Sequence, residues 1–160
     1  MMHHTLLDRI DGIQTSARAR ERLGFAATPL QLQRVWPRSH EHLLLEYQTG
    51  DGAVLSGQWL ADPERLQYGA RKTGSNGFEK NGRVITQPSL GIILQTGGVD
   101  RRMPALSELA ARPGARLVVH RPEQRAVVRL ELPHEVQYAK VVPPERAQNL
   151  LMKARALEKT

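Results

Sequence analysis

Cysteine is absent from this chain. Disulfides and thiolate metal sites are therefore excluded, and the reducing cytoplasm is the expected setting. Aromatic residues are scarce, 4% of the total, too few for the stacking platform that holds single-stranded nucleic acid. No apolar run approaches the ~20 residues that cross a bilayer. Asp8 and Asp11 interrupt the opening segment where a signal peptide needs its apolar stretch. Neither a membrane anchor nor a leader is expected.

What is present describes a globular chain: 160 residues, 40% hydrophobic and 24% charged, enough for one domain with a real core. The charge balance is basic, 23 Lys and Arg against 16 Asp and Glu, or +7. Cations release counterions from phosphates, so nucleic acid is one partner such a surface serves. Phosphate-bearing small molecules and acidic protein surfaces are others, and charge alone does not choose between them.

Periodicity divides the chain. Leu6, Leu7, Ile10 and Ile13 form a helical stripe, with Thr15 able to cap a second turn and Gly24 placed to end it. Leu30, Leu32 and Val35 mark a strand. Two apolar runs around Thr49-Gly50-Asp51-Gly52 read as a hairpin, because glycine tolerates the positive φ of a tight turn. The glycine-rich stretch at 69–82 has few apolar anchors and reads as a mobile loop. Short strands follow at "RVITQ" and "GIILQT", then a helix near 103–112 stopped by Pro113-Gly114.

Three antiparallel strands come next, joined by "RPEQR" and "LPHE", and Ala126, Val128, Leu130 and Leu132 make the core face of the middle one. Pro144 opens a last helix whose stripe is Ala147, Leu150, Leu151, Ala154 and Leu157. The expected fold is α+β: an antiparallel sheet of five to seven strands with flanking helices. Residues 1–96 form a helical segment with a hairpin elaboration, and residues 97–160 a smaller sheet followed by its helix.

Few residues carry obvious chemistry. His40 and His42 lack a third protein ligand and read as surface strand histidines rather than a metal site. "GARKTGS" lacks the lysine that a phosphate loop needs, since Ser75 stands after its second glycine. No nucleophile elbow or carboxylate couple stands out, so no catalytic residue and no metal ligand is assigned.

Lys140 is the exception. It shares the more apolar face of its strand with Val136, Tyr138 and Val142. Either it snorkels its ammonium to water, or it holds a point charge over a pocket for phosphate oxygens. On the following helix Glu158 continues the core stripe and points at the sheet. Glu145 sits in the first turn, where a carboxylate suits the helix dipole.

The segment "ARLVVHRPEQRAVVRLELPHEVQYAKVVPPERAQNLLMKARAL", with "GGVDRRMPALSELAARPGA" before it, resembles the amino-terminal lobe of the aminoglycoside-phosphotransferase-like kinases. The resemblance spans roughly residues 97–157. It implies a kinase-like small lobe in which Lys140 contacts nucleotide phosphates, Glu158 orients it, and the turn Pro122, Glu123 and Gln124 covers them. That turn lacks the usual glycine. ATP and magnesium are the implied cofactors of the complete enzyme.

The catalytic aspartate and the metal-binding residues of that family lie in a second, carboxyl-terminal lobe, and nothing here matches them. The expectation is a nucleotide-binding lobe without phosphoryl transfer of its own. The alternative is a small basic interaction domain that binds protein or nucleic acid through Arg116, Arg125 and Arg129.

Overall fold

The hairpin turn around Gly52 sets the frame. Gly52 takes φ +84°, and Thr49 bonds Asp51 and Ala53 across the turn. The flanking strands, β2 (His42–Gln48) and β3 (Val54–Leu60), then pair antiparallel with Leu45 opposite Gly57. The computed structural model describes residues 5–12, 15–18, 29–74 and 84–158. The Gly24 helix stop and the part of the expected loop at 75–82 lie outside the described residues.

Eight strands among the described residues form two antiparallel sheets, so the class is α+β, although the single sheet read from the sequence is in fact two. In the first, β1 (Gln31–Ser39) lies beside β2, then come β3, β5 (Ile92–Gln95) and β4 (Val84–Gln87). In the second, β6 (Ala115–Arg121), β7 (Arg125–Glu131) and β8 (Val136–Val141) run as a meander. Helices α1 (Leu6–Ile10), α2 (Pro63–Gly74), α3 (Leu106–Ala110) and α4 (Pro144–Leu157) complete the order. None is long and apolar enough to cross a membrane.

Helix α2 corrects the expected loop: residues 69–74 are helical. Leu66, 1% exposed, anchors it with Ala70 against Leu60 and Ile93. One well-buried leucine at helical spacing from a small residue suffices where local composition argues for a loop.

Strand alternation gives the first sheet two different faces. One carries Leu45, Tyr47, Leu55, Trp59, Ile92 and Leu94 into an apolar core with Ile10 and Leu30. The Tyr47 hydroxyl donates to Ile10 O at 2.8 Å, tying α1 to it. The opposite face carries His42, Glu46, Ser56, Gln58 and Gln95, all buried. Helix α2 covers one part of that polar face, and β6 lies over β2 and β3 at the other.

The second sheet packs Ala126 and Val128, both 0% exposed, against Met103 and Leu106. Pairing parity then decides β8. Ala139 lies opposite Val128 and Val141 opposite Ala126, so these residues face inward. Lys140, Tyr138 and Val136 face outward and are exposed, so the more apolar face of β8 is the one that meets solvent. The neighbouring strand has the stronger apolar alternation, and it imposes its register.

Helix α4 also departs from expectation. Pro143 is buried and Arg102 pairs with Glu145, but no residue of the helix itself is buried. Leu151 is 58% and Leu157 77% exposed. Glu158 is therefore exposed rather than aimed at the sheet. Its best-covered residue is Ala147, half-buried near the start of the helix.

Candidate functional site

Two sites lie on either side of the β6–β7 turn. The first is a groove of about 270 Å3 lined by Gln124, Arg125, Lys140, Val142, Arg146 and Leu150, with Asn149. Arg125 opens β7, Lys140 stands one strand away on the same outward face, and Arg146 comes from the first turns of α4. Three cations thus converge without a carboxylate in the lining. Such a donor set suits phosphate oxygens.

Glu158 takes no part. Its backbone N–H donates to Ala154 O at the end of α4, and among the described residues it forms no ion pair with Lys140. The expected turn divides its duties: Gln124 lines the groove, whereas Pro122 and Glu123 are buried. Glu123 lines the second site instead.

That second site begins in the buried polar layer. Asp100, 1% exposed, accepts from Arg102 N (2.9 Å) and Met103 N (3.2 Å) with Oδ1. Its Oδ2 accepts from His120 Nε2 (2.8 Å) and Glu123 N (2.7 Å). Four donors on one buried carboxylate keep the 101–103 loop, β6 and the turn in a single arrangement. With Nε2 donating, the opposite ring nitrogen, His120 Nδ1, is buried without a hydrogen-bond partner among the described residues.

Glu46 connects the sheets. Its Oε2 accepts from His120 N at 2.9 Å and its other oxygen pairs with Arg34. Arg121 adds a cation–π contact with Trp36 of β1, 5.4 Å from the ring centroid.

Glu123 adopts φ +59°, the left-handed region that a non-glycine residue rarely enters. The conformation offers its N–H to Asp100 and its carboxylate to Arg38 (2.9 Å) and Arg101 (2.8 Å). Burial alone would raise the Glu123 pKa. The hydrogen bonds from Arg101 and Arg38, with their charges, outweigh it and hold the carboxyl below its ordinary range.

A cavity of about 720 Å3 opens beside this cluster, between α2 and the polar face of the first sheet. His42 and Gln58 lie on that face, 7% and 5% exposed, joined by His42 Nε2 and Gln58 Oε1 at 2.8 Å. Burial lowers the His42 pKa, with the Gln58 bond opposing and the Arg38 charge assisting. His42 is thus neither the surface histidine expected nor a partner of His40, which is exposed.

Among the described residues no three His, Asp or Glu side chains gather as a metal site. The arginines of the interaction-domain reading are dispersed: Arg116 donates to Gly52 O at 3.1 Å, Arg129 pairs with Glu131, and Arg125 belongs to the groove. Sequence reasoning missed Arg38, Gln58, Asp100 and His120. The one signal available was the set of polar residues His42, Glu46 and Gln48 on one face of β2, and Leu44 interrupts it. No family model, curated protein or solved structure matches the chain.

Proposed function

We propose that the chain is the nucleotide-binding lobe of a phosphotransferase-like kinase, holding ATP phosphates in the groove at Lys140. The observation that carries this reading is the convergence of Arg125, Lys140 and Arg146 on one groove without a carboxylate in its lining. The order of meander, turn, lysine-bearing strand and following helix supports it. Gln124, at the groove's edge, supplies the part of the turn nearest the phosphates.

Lys140 acts here as a point charge, without a glutamate from α4 to orient it. A magnesium ion accompanying ATP finds no carboxylate ligand in the groove and would depend on groups elsewhere. The exposed apolar surface of α4 and β8, with Tyr138 65% and Leu157 77% exposed, gives a catalytic lobe a surface to cover. Phosphoryl transfer by this lobe alone is not expected. A cytoplasmic setting, where ATP is plentiful, agrees with the lack of cysteine.

Titration with Mg-ATP, followed by amide chemical shifts, tests the proposal. Saturable shifts centred on Lys140, Arg125 and the 122–124 turn are expected. Lys140→Ala should weaken binding at least about tenfold, as loss of one charge-assisted bond implies. No shifts at these residues, together with salt-dependent retention on DNA, would replace the proposal with the basic interaction domain.

A further inference from the structure

The cavity beneath α2 is a different kind of place from the groove at Lys140. The β6–β7 turn stands between them, with Gln124 on one side and Glu123 on the other. Its volume, about 720 Å3, falls in the range of ~300–1,000 Å3 common to small-molecule sites. Its inner wall is a hydrogen-bonding edge held by the sheet. With Gln58 Oε1 accepting, His42 Nε2 carries the ring proton, so Nδ1 is left as an acceptor. The Gln58 amide nitrogen provides donors beside it. Neither atom has a hydrogen-bond partner among the described residues, although both side chains are more than nine-tenths buried.

The outer wall is cationic. Arg38 and Arg101 each use a single nitrogen on Glu123 and retain further N–H donors. Arg71 forms no ion pair among the described residues, and Arg65 only approaches Glu41 at 3.9 Å. Against these four guanidinium groups stand Glu123, already held by two of them, Glu64, and Asp62, whose Oδ1 accepts from Glu64 N at the start of α2. The lining keeps a net positive charge. Tyr68, half exposed, adds a flat aromatic ring to the lining.

We infer that this cavity binds a small planar molecule with an amide-like donor–acceptor edge at one end and an anionic group, carboxylate or phosphate, at the other. The edge meets His42 Nδ1 and the Gln58 amide; the anion meets the arginines. A ligand with only one of these features leaves the other wall unsatisfied, so the site selects for both together. The inference is independent of nucleotide binding at Lys140.

Three probes separate the contributions. Orotate is planar and carries both the edge and a carboxylate. Uracil lacks the carboxylate, and benzoate lacks the edge. Orotate should give saturable shifts of the His42 ring and the Gln58 side-chain amide, with uracil and benzoate each at least about tenfold weaker. Gln58→Ala and Arg71→Gln should each weaken orotate several-fold. Arg71 is exposed, so its variant keeps the measurement valid if a change at buried Gln58 prevents folding. Equal affinities for the three probes, no saturable shift at His42 and Gln58 in the millimolar range, or shifts centred on Lys140 and Arg125 would each overturn the inference.

Discussion

Replacing Asp100 by asparagine changes one buried atom and tests whether the carboxylate organises the junction between the sheets. Asp100 accepts four hydrogen bonds, two on each oxygen. Asparagine retains one oxygen. Turned toward Arg102 N and Met103 N, that oxygen preserves the loop but presents an NH2 group to His120 Nε2 and Glu123 N. His120 can adapt by moving its proton to Nδ1, which has no partner to lose among the described residues. The Glu123 N–H cannot adapt, and it is left facing another donor. The opposite orientation is worse, because two backbone donors then face the NH2.

Losing one charge-assisted bond in a buried setting costs about 1.5–3 kcal/mol, and neutralising the remaining acceptor weakens its other bonds. Relief from burying a charge offsets part of this, so a net loss of about 3 kcal/mol is expected. With a urea slope of about 2 kcal/mol/M, the unfolding midpoint should fall by about 1.5 M. Equilibrium urea denaturation followed by far-UV circular dichroism measures it. A loss under about 1 kcal/mol, the size of an ordinary surface change, would refute the organising role of Asp100.

Four further outcomes are expected. Because burial lowers the His42 pKa below its ordinary 6.5, the unfolded chain takes up that proton first. Stability should therefore fall as pH drops below that value toward the folded pKa, and the difference curve against His42→Gln should isolate the slope. The lowered Glu123 pKa gives a contribution present above the ordinary 4.5 and lost as pH falls through the folded value; Glu123→Gln should flatten that acid limb in pH-dependent thermal melts. Gly91 has φ +71°, and a Cβ there would lie 2.8 Å from Leu60 O, so Gly91→Ala should cost about 2 kcal/mol or more in urea unfolding. Leu151→Ser on α4, where the side chain is 58% exposed, should alter stability by less than about 0.5 kcal/mol; a larger loss in urea unfolding would mean that this face of the helix is covered.

Local chemistry made much of the architecture legible. Glycine at the hairpin, alternation in β7 and proline at the start of α4 are signals that neighbouring residues carry themselves, and each element stands where it was expected. Helix α2 was hidden because its glycine-rich end masks the Leu66 anchor, whose partners Leu60 and Ile93 are distant in sequence. The groove at Lys140 was only partly legible. Lys140 and Gln124, both singled out in the sequence, line it, whereas Arg146 was not foreseen and Glu158 is exposed.

By itself the sequence determined the strand order, the hairpin turn, the absence of thiol chemistry and the alternation of polar with apolar residues along β7. All of these follow from local stereochemistry and composition. Tertiary structure decided which alternating face meets water. β6 and α2 cover the polar side of the first sheet, so His42, which read as a surface histidine, joins Glu46 and Gln58 in an interior hydrogen-bonding layer. Pairing with β7 likewise sends Lys140 outward to join Arg125 and Arg146. Alternation specifies two faces but not their surroundings, because what covers a sheet comes from distant parts of the chain.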